Sequence, residues 1–534
     1  MNSFKQQLEF IHPDLSSLES YIEQKINELK RKEEPQLYSE KDVILISYPD
    51  QFQATGMSPL RALDLFIKED LKSIVNSVHI LPFYPWTCDD GFGATDYQKV
   101  AKEYGTWEDI ESFSSKLMFD CIFNHLSSEN HLFKAALEGD QESEKMFHLL
   151  SKEEFNDPKV KEDIQGIVRP RTHPLFTPYQ FQGETKYVWT TFSENQVDTN
   201  IANIDMMKYI LESFFLYIEK GARFFRIDAI PFVWKELGTN SSHHPKTHAF
   251  VKLLRSISDA INPNLLLITE SNVPHHENIT YWGKGDDEAH VIYNFSLAPL
   301  ILHALHFKTK NYLEAWANRV FDINSKNTYL NFTATHDGIG VRGLEGIVPE
   351  EDVFELCENV EQKRAVVGKK VSRDGTIRPY ELNCTWASFF ENENLSQELN
   401  DKLVINSHAV VLFFPGIPAH YAHNFFGTKN WFEGYEESGI ARRLNRKKLN
   451  YPLTLTKREE FIKDSLLEWT NIRTSSKAFH PKGELKILKS QKELLVFERS
   501  YQEEKKVVIF NLTPNSYNWR GEPVGPYDLI VKGD

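Results

Sequence analysis

The sequence predicts an α/β fold: a closed (β/α)8 barrel of the TIM type, with long insertions after strands three and seven and a small C-terminal antiparallel β domain. Three observations predict it. First, short apolar runs recur at 43–48, 78–83, 118–123, 222–230, 265–269, 291–295, 329–334 and 409–414, and segments of helical periodicity such as 60–75 and 206–220 separate most of them. Strands alternating with helices pair in parallel through right-handed crossovers, and eight of them close a barrel. Second, the intervals 126–204 and 340–400 exceed any simple connection; on this fold such loops belong over the C-terminal ends of the strands. Third, beyond about residue 481 the pattern alternates, as in Leu485-Lys-Ile-Leu-Lys and Val507-Val-Ile-Phe-Asn-Leu512, which reads as antiparallel strands.

Taken in order, residues 1–40 form a polar prefix whose Leu8, Ile11, Leu15, Leu18, Ile22, Ile26 and Leu29 fall at helical spacing. One or two surface helices laid on the main body satisfy that pattern, with a packing role. The barrel then runs over 41–480, interrupted by inserts 126–204 and 340–400, and the β domain over 481–534.

The totals narrow the function. A net charge of −15, from 61 basic and 76 acidic residues, argues against nucleic acid and anionic membranes as partners. No basic and apolar leader opens the chain, and the run 409–414 is far too short to span a bilayer. The four cysteines, Cys88, Cys121, Cys357 and Cys384, form no C-x-x-C pair, which points to reduced thiols in a cytoplasm and to no zinc site. The pairs His243-His244 and His275-His276 read as solvated loops, because adjacent side chains diverge on strand and helix alike.

Chemistry enters at the strand ends. In Gly221-Ala-Arg-Phe-Phe-Arg-Ile-Asp-Ala-Ile230, positions i and i+2 of a strand face one side. Arg226 and Asp228 therefore share one space and Arg223 faces another. Strand three ends in Asn124-His125, strand five in Glu270, strand seven in His336-Asp337-Gly338, and the loop after strand two carries Asp89-Asp-Gly-Phe92. Three carboxylates (Asp228, Glu270, Asp337), with no phosphate-binding glycine loop, suggest glycosidic-bond chemistry. Such a pair must be tuned apart: a nucleophile kept ionised by an arginine, and an acid that holds its proton. Asp228 beside Arg226 fits the first role and Glu270, ending the apolar run Leu265-Leu-Leu-Ile-Thr, fits the second.

Asp120-Cys-Ile-Phe-Asn-His125, the 222–230 segment, Ile268-Thr-Glu270 and Ala334-Thr-His-Asp337 resemble, in order and strand by strand, the four signature regions of the α-amylase family, glycoside hydrolase family 13. The resemblance covers roughly 42–450. It implies Asp228 as nucleophile, Glu270 as general acid/base, Asp337 on the sugar 2- and 3-hydroxyls, His125 and His336 on the same glucose, and Arg226 orienting the nucleophile. His79-Ile-Leu-Pro-Phe-Tyr-Pro, Asp89-Asp-Gly-Phe92, Arg169-Pro-Arg171, Gln196-Val-Asp198, His336-Asp-Gly-Ile-Gly340, Pro415-Gly-Ile-Pro418 and Arg442-Arg-Leu-Asn-Arg446 narrow it to the sucrose phosphorylase subfamily. That likeness implies an Asp89–Arg442 pair closing the site around one glucose, with Phe92, Phe192 and Gln196 lining it. Where those sucrose enzymes carry Tyr and His, this chain has Phe232 and Asn272. With the helical prefix, Trp234-Lys-Glu-Leu-Gly-Thr239 and Thr269-Glu-Ser-Asn-Val-Pro274, this is similar to the glucosylglycerate phosphorylases of the subfamily.

The expectation is thus a retaining phosphorylase: a small α-glucoside and inorganic phosphate give α-glucose 1-phosphate, with phosphate as co-substrate and neither cofactor nor metal. An anion entering a negative site needs a local cation. Arg171 is the first candidate and Arg169 the second, with Lys246 and Lys235 behind them. Phe232 and Asn272 border the acceptor. Sucrose, sucrose 6'-phosphate and glucosylglycerol are alternative donors, a hydrolase or transglucosidase an alternative reaction, and a silent binding barrel an alternative class.

Overall fold

The computed structural model describes residues 3–72, 74–321, 327–372 and 375–533. Eight parallel strands close a barrel in sequence order: β1 (Ile44–Ser47), β2 (Ser77–Ile80), β3 (Lys116–Cys121), β4 (Ala222–Ile227), β5 (Leu266–Thr269), β6 (Val291–Tyr293), β7 (Thr328–Asn331) and β8 (Ile417–Tyr421), with β8 returning to β1. Seven of the expected runs coincide with strands.

The eighth does not. Residues 409–414 end the helix Gln397–Ala409 and continue as a 3-10 turn, Val410–Phe413; the strand begins after Pro415-Gly416. All six residues are buried, and a short run buried on every side carries no period that separates strand from helix. Gly416 has φ +139°, and a Cβ there would lie 2.8 Å from the Tyr329 carbonyl oxygen and 2.6 Å from Asn331 Nδ2. Glycine is what lets the chain approach β7 and turn into β8.

The prefix forms α1 (Ser3–Ile11), a 3-10 turn Pro13–Leu18 and α2 (Glu19–Leu29). Leu8, Ile11, Leu15, Leu18, Ile22 and Ile26 are buried and Leu29 is partly so, packed against α3 (Ile204–Glu219) and α4 (Pro245–Ile261). At the N-terminal end of β4, Arg223 donates to the carbonyls of Gln36 (2.9 Å) and Leu37 (3.1 Å), on the opposite side from Arg226, as the strand alternation requires.

The interval after β3 holds four short helices and a three-stranded antiparallel sheet of Leu149–Ser151, Phe176–Phe181 and Glu184–Trp189. It returns to the barrel where Gln196–Asp198 pairs antiparallel with His125–Ser127. The interval after β7 holds the helix Glu350–Gln362 and a sheet in which Ile377–Asn383 lies between Ile339–Gly340 and Val366–Val371. Four antiparallel strands follow the barrel: β9 (Glu484–Ile487), β10 (Leu494–Tyr501), β11 (Glu504–Asn511) and β12 (Leu529–Gly533). Arg499 on β10 ties this sheet to the barrel: fully buried, it donates to the carbonyls of Phe413 (2.5 Å) and His480 (2.8 Å), so backbone dipoles satisfy its fork.

Candidate active site

The floor of the site is built on cross-strand register. Arg226 on β4 lies beside Asp120 on β3, and its Nη1 donates both to Asp120 and, at 2.6 Å, to Asp228 Oδ1. Asp120 in turn meets His79 Nε2 of β2 at 2.7 Å. Arg226 is 1% exposed, with its guanidinium 5.3 Å from the Tyr293 ring centre and 5.7 Å from that of Phe92. A buried cation flanked by two carboxylates keeps both desolvated groups paired. Asp120 and His79 were not assigned a role from sequence, although the alignment of two charged residues on adjacent strands is the signal that marks them.

Glu270, at the end of β5, stands next to this pair. Its Oε2 accepts the Ala229 N–H at 3.0 Å and lies 3.9 Å from Arg226 Nη2. Ala229 sits in the left-handed region at φ +48°, a strained conformation for a residue with a Cβ, and here it aims the amide at Glu270. Burial pushes the Asp228 carboxyl up to about 8, opposed by Arg226 and reinforced by the charge of Glu270. Burial also raises Glu270, again against Arg226. Two such carboxyls titrate as a pair, holding one proton near neutrality. Arg226 bonds Asp228 directly at 2.6 Å and stands 3.9 Å from Glu270, so its pull toward the ionised form is stronger at Asp228.

Asp337 behaves oppositely. Partly exposed, it is held well below the usual carboxylate range by Arg442 and Arg446. Arg442 Nη1 is 2.9 Å and Arg446 Nη2 3.5 Å from its Oδ1. Asp89 touches Arg442 at 3.8 Å, so the expected Asp89–Arg442 pair is the loosest contact of a larger cluster. Arg442 is gripped on its other side by Glu381, with Nε–Oε1 3.1 Å and Nη2–Oε2 2.9 Å. Asp90 takes Arg443 through two bonds of 3.0 and 2.5 Å and Arg446 through one of 2.9 Å.

Above the floor opens a cleft of about 710 Å³. Asp228, Glu270, Asp337, Asp89, Phe92, His125, Phe192, Gln196, Arg171, Phe232, Asn272 and Arg442 all line it. Arg226 and His336 support it from beneath. The His336 ring lies parallel to Phe92 at 5.2 Å, and neither of its nitrogens has a hydrogen-bond partner among the described residues. Burial keeps His336 and His125 neutral. His125 Nε2 lies 3.0 Å from the Phe92 carbonyl oxygen and 2.9 Å from Gln196 Nε2. Phe192 meets Phe232 edge-on at 5.8 Å.

The expected anion site divides. Arg171 enters the cleft between Phe192 and Tyr380, at 5.8 and 5.4 Å from their ring centres. Arg169, in contrast, does not line the cleft; its Nη1 donates to the His173 carbonyl at 3.3 Å, and its backbone bridges to Val371. Lys235 is also elsewhere, buried against Asn124 Oδ1 (2.8 Å) and Asp198 Oδ2 (3.2 Å). Lys246 lies 4.2 Å over the Trp234 ring. Tyr380 and Glu381 are among the lining residues that sequence reasoning missed. They arrive from the second insert, and only its sheet register with Gly340 reveals them.

With four signature segments converging on one cleft at the C-terminal ends of the barrel strands, relatives can be compared. The profile described as "Alpha amylase, catalytic domain" matches residues 67–339. The chain belongs to the α-amylase family. Within it, the chain is 39% identical over 510 residues to the glucosylglycerate phosphorylase of Escherichia coli (strain K12), covering 93% of this chain and 89% of that one. It is 30% identical over 424 residues to the sucrose phosphorylase of Bifidobacterium adolescentis, covering 76% and 79%. Among solved structures, the sucrose 6F-phosphate phosphorylase from Thermoanaerobacter thermosaccharolyticum superposes with a TM-score of 0.76 at 24% identity, over 89% of this chain and 94% of that one, a likeness of fold. Among the described residues, no helix of this α-amylase-family chain is long and apolar enough to cross a membrane.

Proposed function

We propose that the protein is a retaining glycoside phosphorylase that transfers α-glucose from 2-O-α-glucosyl-D-glycerate to inorganic phosphate, releasing D-glycerate and α-glucose 1-phosphate. The observation that carries the reading is a guanidinium without a carboxylate partner in the same cleft as the carboxyl pair. Arg171 makes no ion pair among the described residues and donates only to its neighbour's carbonyl, Pro170, at 3.2 Å, leaving its fork free for an anion. Likeness at 39% identity to a glucosylglycerate phosphorylase supplies the donor.

The steps follow from the floor. Ionised Asp228 attacks the anomeric carbon while Glu270 gives its proton to the departing glyceryl oxygen, leaving a β-glucosyl ester on Asp228. Phosphate, held by Arg171, then attacks the same carbon from the face the glycerate left, and Glu270 takes up the phosphate proton. Two inversions retain the α configuration. Asp337, His125 and Gln196 hold the glucose hydroxyls, with Phe92 beneath the ring and His336 behind Asp337 and Phe92; Asp89 and Arg442 bound its far end. Phe232 and Asn272, whose buried Oδ1 has no partner among the described residues, face the acceptor. Phosphate is the only co-substrate, with no further cofactor or metal. Four unpaired thiols support a cytoplasmic setting.

The test is phosphate release from α-glucose 1-phosphate in the presence of D-glycerate, fructose, fructose 6-phosphate, glycerol or water alone. Release that depends on D-glycerate is expected. Release in water, unaffected by every acceptor, would make the enzyme a hydrolase.

A further inference from the structure

The second insert reaches the site along a ladder whose two flanking partners are glycines. Glu381 lies opposite Gly340 on one side and Gly368 on the other. A Cβ on Gly368 would lie 2.7 Å from Glu381 Cγ, so the Glu381 side chain occupies the space a residue there would fill. A Cβ on Gly340 would meet Asn272 Nδ2 at 2.9 Å, and one on Gly338 the Leu382 carbonyl oxygen at 2.2 Å. Gly338 therefore lets this strand press against the loop that carries His336 and Asp337, while Gly368 leaves room for the Glu381 side chain and Gly340 for Asn272.

What the strand delivers is a carboxylate for Arg442. That arginine comes from the 3-10 turn Ala441–Asn445, a segment with no strand register to fix its long side chain. Its two-pronged bond to Glu381 and its 2.9 Å contact with Asp337 lie on different nitrogens, Nε and Nη2 against Nη1. Planar, two-point pairing fixes orientation as well as distance. Asp89, at 3.8 Å, is too far to do the same.

We propose that Glu381 is a positioning residue for the sugar site: it fixes the Arg442 fork so that the third nitrogen holds Asp337 in register with the glucose hydroxyls. Without Glu381 the guanidinium is free to collapse onto Asp89 and Asp337 together, which engages the oxygens the sugar needs. The inference rests on the cleft being a glucose site, and it holds whether phosphate or water completes the reaction.

The experiment is a double-mutant cycle on Glu381→Ala and Arg442→Ala, read by calorimetric titration of glucose and by KM for α-glucose 1-phosphate, with Tm followed alongside. Loss of a charge-assisted pair predicts glucose binding weakened about ten- to a hundredfold in Glu381→Ala, with kcat changed less than KM and Tm within about 2 °C of the parent. In the Arg442→Ala background, Glu381→Ala should cost nothing further, because its effect passes through Arg442. Glu381→Gln, which keeps one acceptor, should fall between parent and alanine. The proposal is overturned if the two losses simply add, if Glu381→Ala binds glucose as the parent does, or if the parent binds no glucose. Absence of acceptor-dependent phosphate release alongside the coupled binding loss would instead count against the phosphorylase reading alone.

Discussion

Replacing Arg171 by Gln separates anion capture from glucosyl transfer. The guanidinium stacks between Phe192 and Tyr380 and has no carboxylate partner among the described residues, so the substitution breaks no ion pair and leaves no buried charge behind. What it removes is one charge-assisted, two-point contact to an incoming anion, worth roughly 2–3 kcal/mol. That converts to about a 30- to 150-fold loss in kcat/KM for phosphate. Glucosylation itself should be spared when the donor carries no anion, so α-glucosyl fluoride is the substrate to use. The assay measures fluoride release, which counts every turnover, beside α-glucose 1-phosphate formed at several phosphate concentrations. The expected outcome is unchanged fluoride release without phosphate and a product ratio shifted from α-glucose 1-phosphate to free glucose. If both rates fall together, Arg171 holds the fold of the loop rather than phosphate; if neither changes, phosphate enters by another route.

Asp228→Asn should lower turnover by on the order of 10⁴ or more, in line with losing the central group of a catalytic unit, and should raise Tm of the ligand-free protein by roughly 1–3 °C. Burial resists the charge on Asp228 and Arg226 keeps its partner Asp120, so a scanning calorimeter should see relief rather than damage. The pH profile of kcat/KM should be bell-shaped, with its alkaline limb displaced above the ordinary carboxylate range because burial raises both Asp228 and Glu270. The sign for stability follows from the same pair. Carboxyls raised on folding bind more protons in the native state, so ligand-free stability should decline as pH rises from the unfolded carboxylate value near 4 towards 8. Deleting residues 1–30 would expose the faces of α3 and α4 that bury Leu8, Ile11 and Ile22; at about 1.5–3 kcal/mol for each buried aliphatic side chain, the truncated protein should show a markedly lower Tm or aggregate.

How much of this was legible in the sequence depends on the kind of signal each part carries. The strands β1 to β7 declare themselves because a barrel strand is buried on both faces and bounded by turns, so its apolar run is short and closed. Strand β8 breaks that rule: Ile417-Pro-Ala-His-Tyr421 carries a proline and a histidine, while the greasier stretch before it is the end of a buried helix. The carboxyls that line the cleft were legible for a related reason. A charge at the end of an apolar run has few structural uses, and alternation on β4 settles that Arg226 and Asp228 point together. The same alternation separates Arg169 from Arg171 only once the loop is placed, since two residues two apart share a face only if the loop is extended.

Glu381 and Tyr380 lie beyond any local signal. They belong to a strand inside the interval 340–400, where nothing in spacing or composition says which residues come back to the barrel; the pairing of Gly340 with Glu381 says it at once. The arginines 442, 443 and 446 show the same limit from the other side. Sequence supplies three cations within five residues, but their division between Asp337 with Glu381 and Asp90 is set by where the loop after β2, the second insert and a turn meet. Asp228 and Glu270 directly follow barrel strands and can be read from them. The groups around Asp337 come instead from the second insert and the turn 441–445, and the cluster they form joins segments as far apart in sequence as Asp90 and Arg443.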